Sequence, residues 1–141
     1  LKTARDMEVQ NRIDPKQSIW GGARYYKKIK DRIDQNIPEP DRSLMAIAAY
    51  NVGYGHLQDA REITRKLDKN PNRWVDVKEA LPLLAKRKWY KQTRYGYARG
   101  WEPVRYVENI RSYFEILKWV DDNNIDVTPV PDEFFKIPNT L

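Results

Sequence analysis

Two polar side chains followed by two glycines, in the stretch AAYNVGYGH at residues 48–56, form the first pattern that could do chemistry. Tyr50 and Asn51 end an apolar helical pattern, and Gly53 and Gly55 come directly after them. An asparagine amide is a paired hydrogen-bond donor and acceptor, so it could hold a polar ligand if it faced a cleft. Glycines let a ligand or a second backbone approach closely. The simpler interpretation, which the local chemistry alone favours, is a helix end with Gly53 in a left-handed cap and Gly55 in a tight turn.

Two further residues are candidates for a site. Tyr106, in RYVENI, borders an apolar stripe, and core packing is its simpler interpretation. His56 is the only histidine of the chain and could suggest acid–base or metal chemistry. Without a second histidine or any cysteine, a metal site is disfavoured. We therefore expect neither a metal nor a cofactor.

The segment KWYKQTRYGYARG, at residues 88–100, interleaves basic and aromatic residues. Bases of single-stranded nucleic acid stack on such rings, and the apolar face of a sugar packs on them equally well. The chain has no recognisable nucleic-acid motif. We therefore rank a basic helical nucleic-acid binder last among the possible functions.

Composition sets the limits within which these residues must be positioned. A chain of 141 residues with 40% hydrophobic and 33% charged residues suits one globular domain with a real core. The absence of cysteine excludes disulfides and thiolate metal sites. The net charge of +6 suits a polyanionic partner such as nucleic acid, anionic lipid or a cell-wall polymer. No apolar run is long enough to span a bilayer.

Helical periodicity dominates the first two thirds of the chain. Asp14 as N-cap and Pro15 in the first turn predict the start of a helix that ends before Pro38. One face of this helix carries Ile19, Ala23, Tyr26, either Ile29 or Lys30, and Ile33. The glycine pair at residues 21–22 within it predicts close packing of another backbone. Further helices are predicted from Pro40 or Asp41, over residues 57–67, and in WVDVKEALPLL up to a break at Pro82.

The last third combines a predicted loop, a long helix and a tail. Residues 86–100 lack a period and predict a loop with short turns. EPVRYVENIRSYFEILKWV, at residues 102–120, predicts the clearest helix. Its apolar stripe consists of Val104, Val107, Ile110, Phe114, Leu117 and Val120. Residues 121–141 contain three prolines and predict a C-terminal tail. The pattern as a whole predicts an all-α fold with about five helices around one core.

Four motifs in a fixed order resemble one family. IDPKQSIWGGARY (13–25), AIAAYNVGYGH (46–56), YGYARG (95–100) and YVENI (106–110) are together similar to the lysozyme-like lytic transglycosylases of the goose-lysozyme-related group. Within that group the likeness is to the C-terminal catalytic domain of the membrane-bound lytic transglycosylase F family. Each motif is weak alone, but the four in this order are specific. The resemblance extends over residues 1–120.

The resemblance implies a fold, an activity and a set of cleft residues. The fold would be a lysozyme-like helical domain truncated at its N-terminus. The reaction would cleave the β-1,4 bond between N-acetylmuramic acid and N-acetylglucosamine and leave 1,6-anhydromuramic ends. Tyr50 and Asn51 would face the saccharide at the cleavage point, Tyr106 would complete the cleft from the far side, and the glycines would let the chain turn past it. The implied partner is the peptidoglycan glycan strand, in the cell envelope, either periplasmic or associated with the outer membrane.

One departure from the family pattern concerns catalysis. The family uses a single glutamate as general acid and then base, in an ES motif followed by a GLMQ-like segment, and neither is present here. Glu102 and Glu108 flank Tyr106 but match no catalytic position. We therefore expect the catalytic glutamate upstream of Leu1, on a segment that contacts this chain, and expect the chain alone to be inactive. Membrane association would come only through regions outside it. The alternative is a non-catalytic glycan-binding module.

Overall fold

A computed structural model describes residues 15–125 of the chain, with side chains from residue 17 onwards, and every regular element in this range is a helix. This confirms the predicted all-α class. None of these helices is both long and apolar enough to cross a bilayer. Six α-helices and one 3-10 segment follow each other in the order α1 (Pro15–Arg32), α2 (Asp41–Val52), α3 (Tyr54–Lys66), α4 (Trp74–Ala80), the 3-10 segment (Leu81–Ala85), α5 (Arg87–Tyr90) and α6 (Trp101–Asp122).

The core is built where α1 packs on α2, α2 on α3, and α3 on α4 and the 3-10 segment. Small residues of α2, Ala48 and Ala49, are fully buried, so neighbouring helices can approach α2 closely. Large apolar side chains fill the space around them, among them Ile29, Ile33, Met45, Leu57, Ile63, Val77, Leu81, Leu84 and Val107. This core fixes the end of α2, where the candidate residues lie.

Helix α1 begins at Pro15 as predicted, while Asp14 lies outside the described residues. Its predicted apolar face is buried only in the second half. Ile29 and Ile33 are in the core, whereas Ile19 is 71% exposed and Ala23 is exposed. The apolar residues do share one helix face, but only the second half of that face packs against the core.

A single glycine joins α2 to α3. Gly53 has φ +97° and ψ +144°, a region open in practice only to glycine. Its N–H donates to the Ala49 carbonyl, and its own carbonyl accepts from Leu57. The predicted left-handed cap is wrong, because ψ is far from the left-handed value. The predicted tight turn at Gly55 is also wrong: Gly55 lies in the first turn of α3, where a Cβ would come 2.8 Å from the Tyr95 ring.

Other predicted boundaries agree with the structure to within a few residues. The helix of WVDVKEALPLL ends at Ala80, and the chain continues as the 3-10 segment around Pro82. The predicted loop at residues 86–100 contains the short helix α5 and is otherwise built of turns. Residues 126–141, most of the predicted tail, lie outside the described range.

The chain divides into two units, residues 1–109 and residues 110–141. In the first, Val107 of α6 is fully buried and Val104 packs against the core. In the second, Phe114 and Leu117 are 59% and 66% exposed. The predicted stripe on α6 is therefore buried in its first half and exposed in its second. A period of apolar residues creates an apolar face, but burial also requires a packed neighbour.

Candidate functional site

Tyr50 and Tyr106 lie side by side, although 56 positions separate them in the sequence. Their ring centroids are 6.4 Å apart and the ring planes are within 7° of parallel. Tyr50 is in the last turn of α2 and Tyr106 in the second turn of α6, and both belong to the unit of residues 1–109. Tyr50 is 36% exposed and Tyr106 is partly buried, so part of the pair's surface is open to solvent.

Asn51 follows Tyr50 at the end of α2 and is exposed. Its amide makes no hydrogen bond to any of the residues in the described range, so both its donor and its acceptor can bind a ligand. The structure thus joins Tyr50 to Tyr106 by direct ring contact and joins Asn51 to them by its place next to Tyr50. That Asn51 faces a bound saccharide stays a prediction.

Two residues of α1 support Tyr50. The ring of Tyr25 meets that of Tyr50 edge-on, with centroids 5.3 Å apart and planes at 62°. A Cβ on Gly22 would come 3.2 Å from the Tyr50 hydroxyl oxygen, so glycine leaves just enough space for this hydroxyl. The predicted close neighbour of the glycine pair is thus, at Gly22, a side-chain hydroxyl and not a backbone. The sequence did not single out Tyr25, although its position three residues after Gly22 places both on one helix face.

The pKa of Tyr106 is shifted by its surroundings. Burial raises the pKa of the Tyr106 phenol above its usual value of 10, and the neighbouring Tyr50 hydroxyl raises it further. The phenol therefore stays protonated at neutral pH. It can both donate a hydrogen bond to a ligand and accept one, as recognition of sugar hydroxyl and amide groups requires.

His56 belongs to a separate packing arrangement. Its ring meets that of Tyr95 edge-on at 6.2 Å, and its Nδ1 is buried without a hydrogen-bond partner, 4.0 Å from the Asp59 carboxylate. Over residues 15–125, no group of three histidine, cysteine or acidic residues comes together in a way that could hold a metal ion. From the first turn of α3, the His56 ring therefore packs against the loop that contains Tyr95.

Asp59 fixes that loop. Its carboxylate is 4% exposed and accepts hydrogen bonds from the backbone N–H groups of Arg94, at 3.1 Å, and Tyr95, at 2.9 Å. Farther along, Ala98 donates its N–H to the Leu84 carbonyl at 3.2 Å. These bonds satisfy loop backbone groups that neither helix nor sheet serves. The basic and aromatic segment after α5 is therefore held in place at both ends.

Neither glutamate that flanks Tyr106 has the surroundings of a general acid. Glu102 is exposed and accepts a hydrogen bond from Arg99 at 3.3 Å, and Glu108 is exposed. A carboxylic acid that protonates a glycosidic oxygen works in a largely apolar pocket, which keeps it protonated until it reacts. The described geometry thus gives Glu102 and Glu108 no catalytic role.

Comparison with known proteins agrees with the motif order. The transglycosylase SLT domain model matches residues 1–72, half of the chain. The chain is 58% identical over 120 residues to membrane-bound lytic murein transglycosylase F of Hahella chejuensis, covering 85% of this chain and 24% of that protein. It is 56% identical over 125 residues to the protein of the same name from Pseudomonas putida, covering 89% and 26%. The corresponding protein of Pseudomonas syringae pv. tomato is 52% identical over 136 residues, covering 96% and 27%.

The chain spans about a quarter of the length of these curated relatives. The aligned regions cover 85–96% of this chain. The resemblance inferred from the four motifs is confirmed. The chain belongs to the transglycosylase SLT domain family.

Proposed function

We propose that this chain forms part of a peptidoglycan lytic transglycosylase and supplies one wall of its glycan cleft. The reaction cleaves the β-1,4 bond between N-acetylmuramic acid and N-acetylglucosamine and leaves 1,6-anhydromuramic ends. The Tyr50–Tyr106 pair, formed by two helices distant in sequence, is the observation that carries the proposal. The printed name of the relatives, lytic murein transglycosylase, points to the same polymer.

Each residue of the wall has a task that its surroundings allow. The exposed amide of Asn51 pairs with an N-acetyl group or a sugar hydroxyl, because it has both a donor and an acceptor available. The protonated phenol of Tyr106 bonds a ring substituent, and the Tyr50 ring packs on the apolar face of a pyranose. These contacts orient the glycosidic bond, and orientation lowers the barrier by removing freedom before the reaction.

Proton transfer requires a further group. The family protonates the leaving oxygen with one glutamate, after which the muramic 6-hydroxyl closes on the anomeric carbon. No residue of this chain matches that glutamate, and general acid catalysis contributes a factor of about 100 to 10,000. We therefore propose that the acid comes from a segment that contacts this chain, and that the chain by itself binds glycan without cleaving it.

Location and domain limits follow from the same proposal. We place the protein in the cell envelope, in the periplasm or at the outer membrane, with any membrane attachment made by regions outside this chain. Residues 1–120 would form the C-terminal majority of the lysozyme-like domain and residues 121–141 a tail.

Two measurements test the proposal. Titration with chitotetraose should show binding by the chain, and Tyr50→Ala and Tyr106→Ala should each weaken it, because each removes a contact to the sugar. Binding that neither substitution alters, or tight binding of single-stranded DNA without any response to the sugar, would contradict the proposed cleft. The control is Tyr113→Ala, an exposed tyrosine on α6 outside the pair.

The alternative is a non-catalytic peptidoglycan-binding module. The one observation in its favour is that no residue of this chain matches the catalytic glutamate of the family. Digestion of purified sacculi with the whole gene product that contains this chain distinguishes the two functions. Release of 1,6-anhydromuropeptides, detected by mass spectrometry, is expected for the enzyme. Sacculus binding without such products would identify a binding module. Release by the 141-residue chain alone would place the acid within it.

A further inference from the structure

The densest positive charge of the chain lies between residues 86 and 101, a segment without a single acidic residue. Elsewhere, lysine and arginine equal aspartate and glutamate in number, so this segment accounts for the whole net charge of +6. We call its exposed cations, together with the rings of Tyr95 and Tyr97, the basic aromatic surface. The cations are Lys86, Arg87, Lys88, Lys91, Arg94 and Arg99.

This surface has a fixed backbone. The buried Asp59 carboxylate holds the backbone of Arg94 and Tyr95, and the Tyr97 ring packs edge-on against Tyr90 with centroids 5.8 Å apart. A surface that is already ordered loses little conformational entropy when it binds. The backbone positions that carry the cations next to Tyr95 are therefore defined.

Rings and cations alternate on this surface. Tyr95 and Tyr97 are 52% and 53% exposed, and the Arg94 guanidinium lies 5.6 Å from the centre of the Tyr95 ring. An exposed ring accepts the apolar face of a sugar, while a guanidinium or ammonium group pairs with a carboxylate. The combination suits a ligand that contains sugars and carboxylates side by side.

The basic aromatic surface is joined to the two helices of the Tyr50–Tyr106 pair at two points. Tyr95 packs on Gly55 at the start of α3, five residues after Tyr50. The segment leads directly into α6, where Tyr106 lies five residues beyond Trp101, about 7.5 Å along the helix axis. These two connections are the reason to test whether a glycan strand bound at the tyrosine pair also contacts this surface.

We propose that the basic aromatic surface binds the carboxylates of the peptides attached to muramic acid, so that the cleft prefers peptide-bearing strands to uncharged chitin oligosaccharides. The inference rests on the proposed function and names the substrate feature that is read next to the pair. Where a peptide is attached, the lactyl carboxyl group of N-acetylmuramic acid is in amide linkage, so the free carboxylates of a peptide-bearing strand belong to its peptides. A nucleic acid or an anionic lipid surface would also attract the cations, but the cations are joined to elements that carry the proposed sugar-binding pair.

The experiment compares a charged and a neutral ligand on the full 141-residue chain. Isothermal titration calorimetry with N-acetylglucosaminyl-N-acetylmuramyl tetrapeptide and with chitotetraose gives the two affinities. The double variant Lys91→Gln/Arg94→Gln removes two cations of the surface and keeps the backbone N–H groups that Asp59 binds. The control Lys66→Gln/Arg73→Gln removes two cations that are also exposed but lie elsewhere. Circular dichroism verifies that both variants are folded.

We expect the first double variant to bind the disaccharide tetrapeptide about three- to tenfold more weakly, as two exposed ion pairs allow, with an unchanged affinity for chitotetraose. The control should alter neither affinity. Added salt should weaken tetrapeptide binding and leave chitotetraose binding unchanged, because only the former depends on charge.

Three results would overturn the inference. One is an equal effect of the first double variant on both ligands, and another is no effect on either. The third is selective loss of binding to phosphatidylglycerol vesicles or to single-stranded DNA with intact tetrapeptide binding, which would assign the surface to lipid or nucleic acid. Failure of the proposed function looks different: neither sugar ligand binds, or Tyr50→Ala and Tyr106→Ala leave chitotetraose binding unchanged.

Discussion

Replacement of Asp59 tests how the basic aromatic surface is held in place. The carboxylate accepts two backbone hydrogen bonds from a segment 35 and 36 positions away in sequence. Hydrogen bonds to a charged acceptor contribute about 1.5–3 kcal/mol each. In Asp59→Ala both N–H groups lose this acceptor, and the exposed residues Arg94 and Tyr95 leave a short path for water to replace it. We therefore expect the lower end of the range for each of the two bonds, a total loss of about 3 kcal/mol in the free energy of unfolding.

Asp59→Asn separates charge from shape. The amide keeps the size of the side chain and one oxygen, so one N–H keeps its acceptor while the amide nitrogen faces the other. We expect a loss of about 1–2 kcal/mol, between wild type and Asp59→Ala. Glu62→Gln is the matched control, because this carboxylate lies on the same helix but is exposed and pairs with Arg65, at 2.8 Å. Its cost should stay below about 0.5 kcal/mol.

Two assays distinguish a local from a global effect. Urea unfolding followed by the fluorescence of the five tryptophans gives the free energy of unfolding. Hydrogen exchange at the amides of Arg94 and Tyr95 reports the local bonds, and both amides should lose protection in Asp59→Ala. If Asp59→Ala unfolds within about 0.5 kcal/mol of wild type with these two amides still protected, the carboxylate does not hold the loop.

Three further predictions concern single side chains. Gly22→Ala should leave the free energy of unfolding unchanged or raise it by up to about 1 kcal/mol, because alanine has the higher helix propensity. The same substitution should weaken chitotetraose binding, because the new methyl group displaces the Tyr50 hydroxyl. A destabilised variant with unchanged affinity would contradict this prediction. Lys30, 2.7 Å from Glu39, lowers the pKa of the Glu39 carboxyl group below 4.5. Wild type should therefore be more stable than Glu39→Gln above pH 4.5, and this advantage should disappear as the pH falls through the lowered pKa. Solvent screening keeps the advantage below about 1 kcal/mol, and urea unfolding at a series of pH values measures it. Because the pKa of Tyr106 is raised in the folded state, the stability difference between wild type and Tyr106→Phe should be constant below pH 10. Wild type should then lose stability relative to Tyr106→Phe as the pH rises through the raised pKa, which urea unfolding measures. A stability difference that does not change with pH would refute this prediction.

Local signals account for most of the fold that the sequence predicts. Pro15 starts a helix because its fixed φ suits the first turn, and Pro38 and Pro82 end helical patterns because proline cannot donate the next hydrogen bond. Such signals act within a few residues, so they need no knowledge of the rest of the chain. Gly55 shows their limit. A glycine after a helix end predicts a turn. Here the space that a Cβ of residue 55 would need is filled by the ring of Tyr95, which is 40 residues away in the sequence.

The candidate site depends on contacts that periodicity does not contain. Tyr50 and Tyr106 each read as ordinary helix residues, and only the family resemblance placed them in one cleft. The supporting ring of Tyr25 and the space at Gly22 escaped notice because a spacing pattern shows which face a residue occupies but not what packs on it. Asp59 escaped for the same reason, since a buried carboxylate between helical residues looks like any exposed one in the sequence.

The two halves of α6 show what an amphipathic pattern establishes. The same apolar period runs through Val104 and Val107, which pack on or within the core, and through Phe114 and Leu117, which are exposed. An apolar side chain contributes to stability only when its surface leaves water, at about 25 cal/mol for each Å². The pattern therefore states a capacity for burial, and the contacts decide whether the capacity is used. Tyr106 lies in the half that is packed, which is why its ring is held parallel to Tyr50 and can serve a binding site.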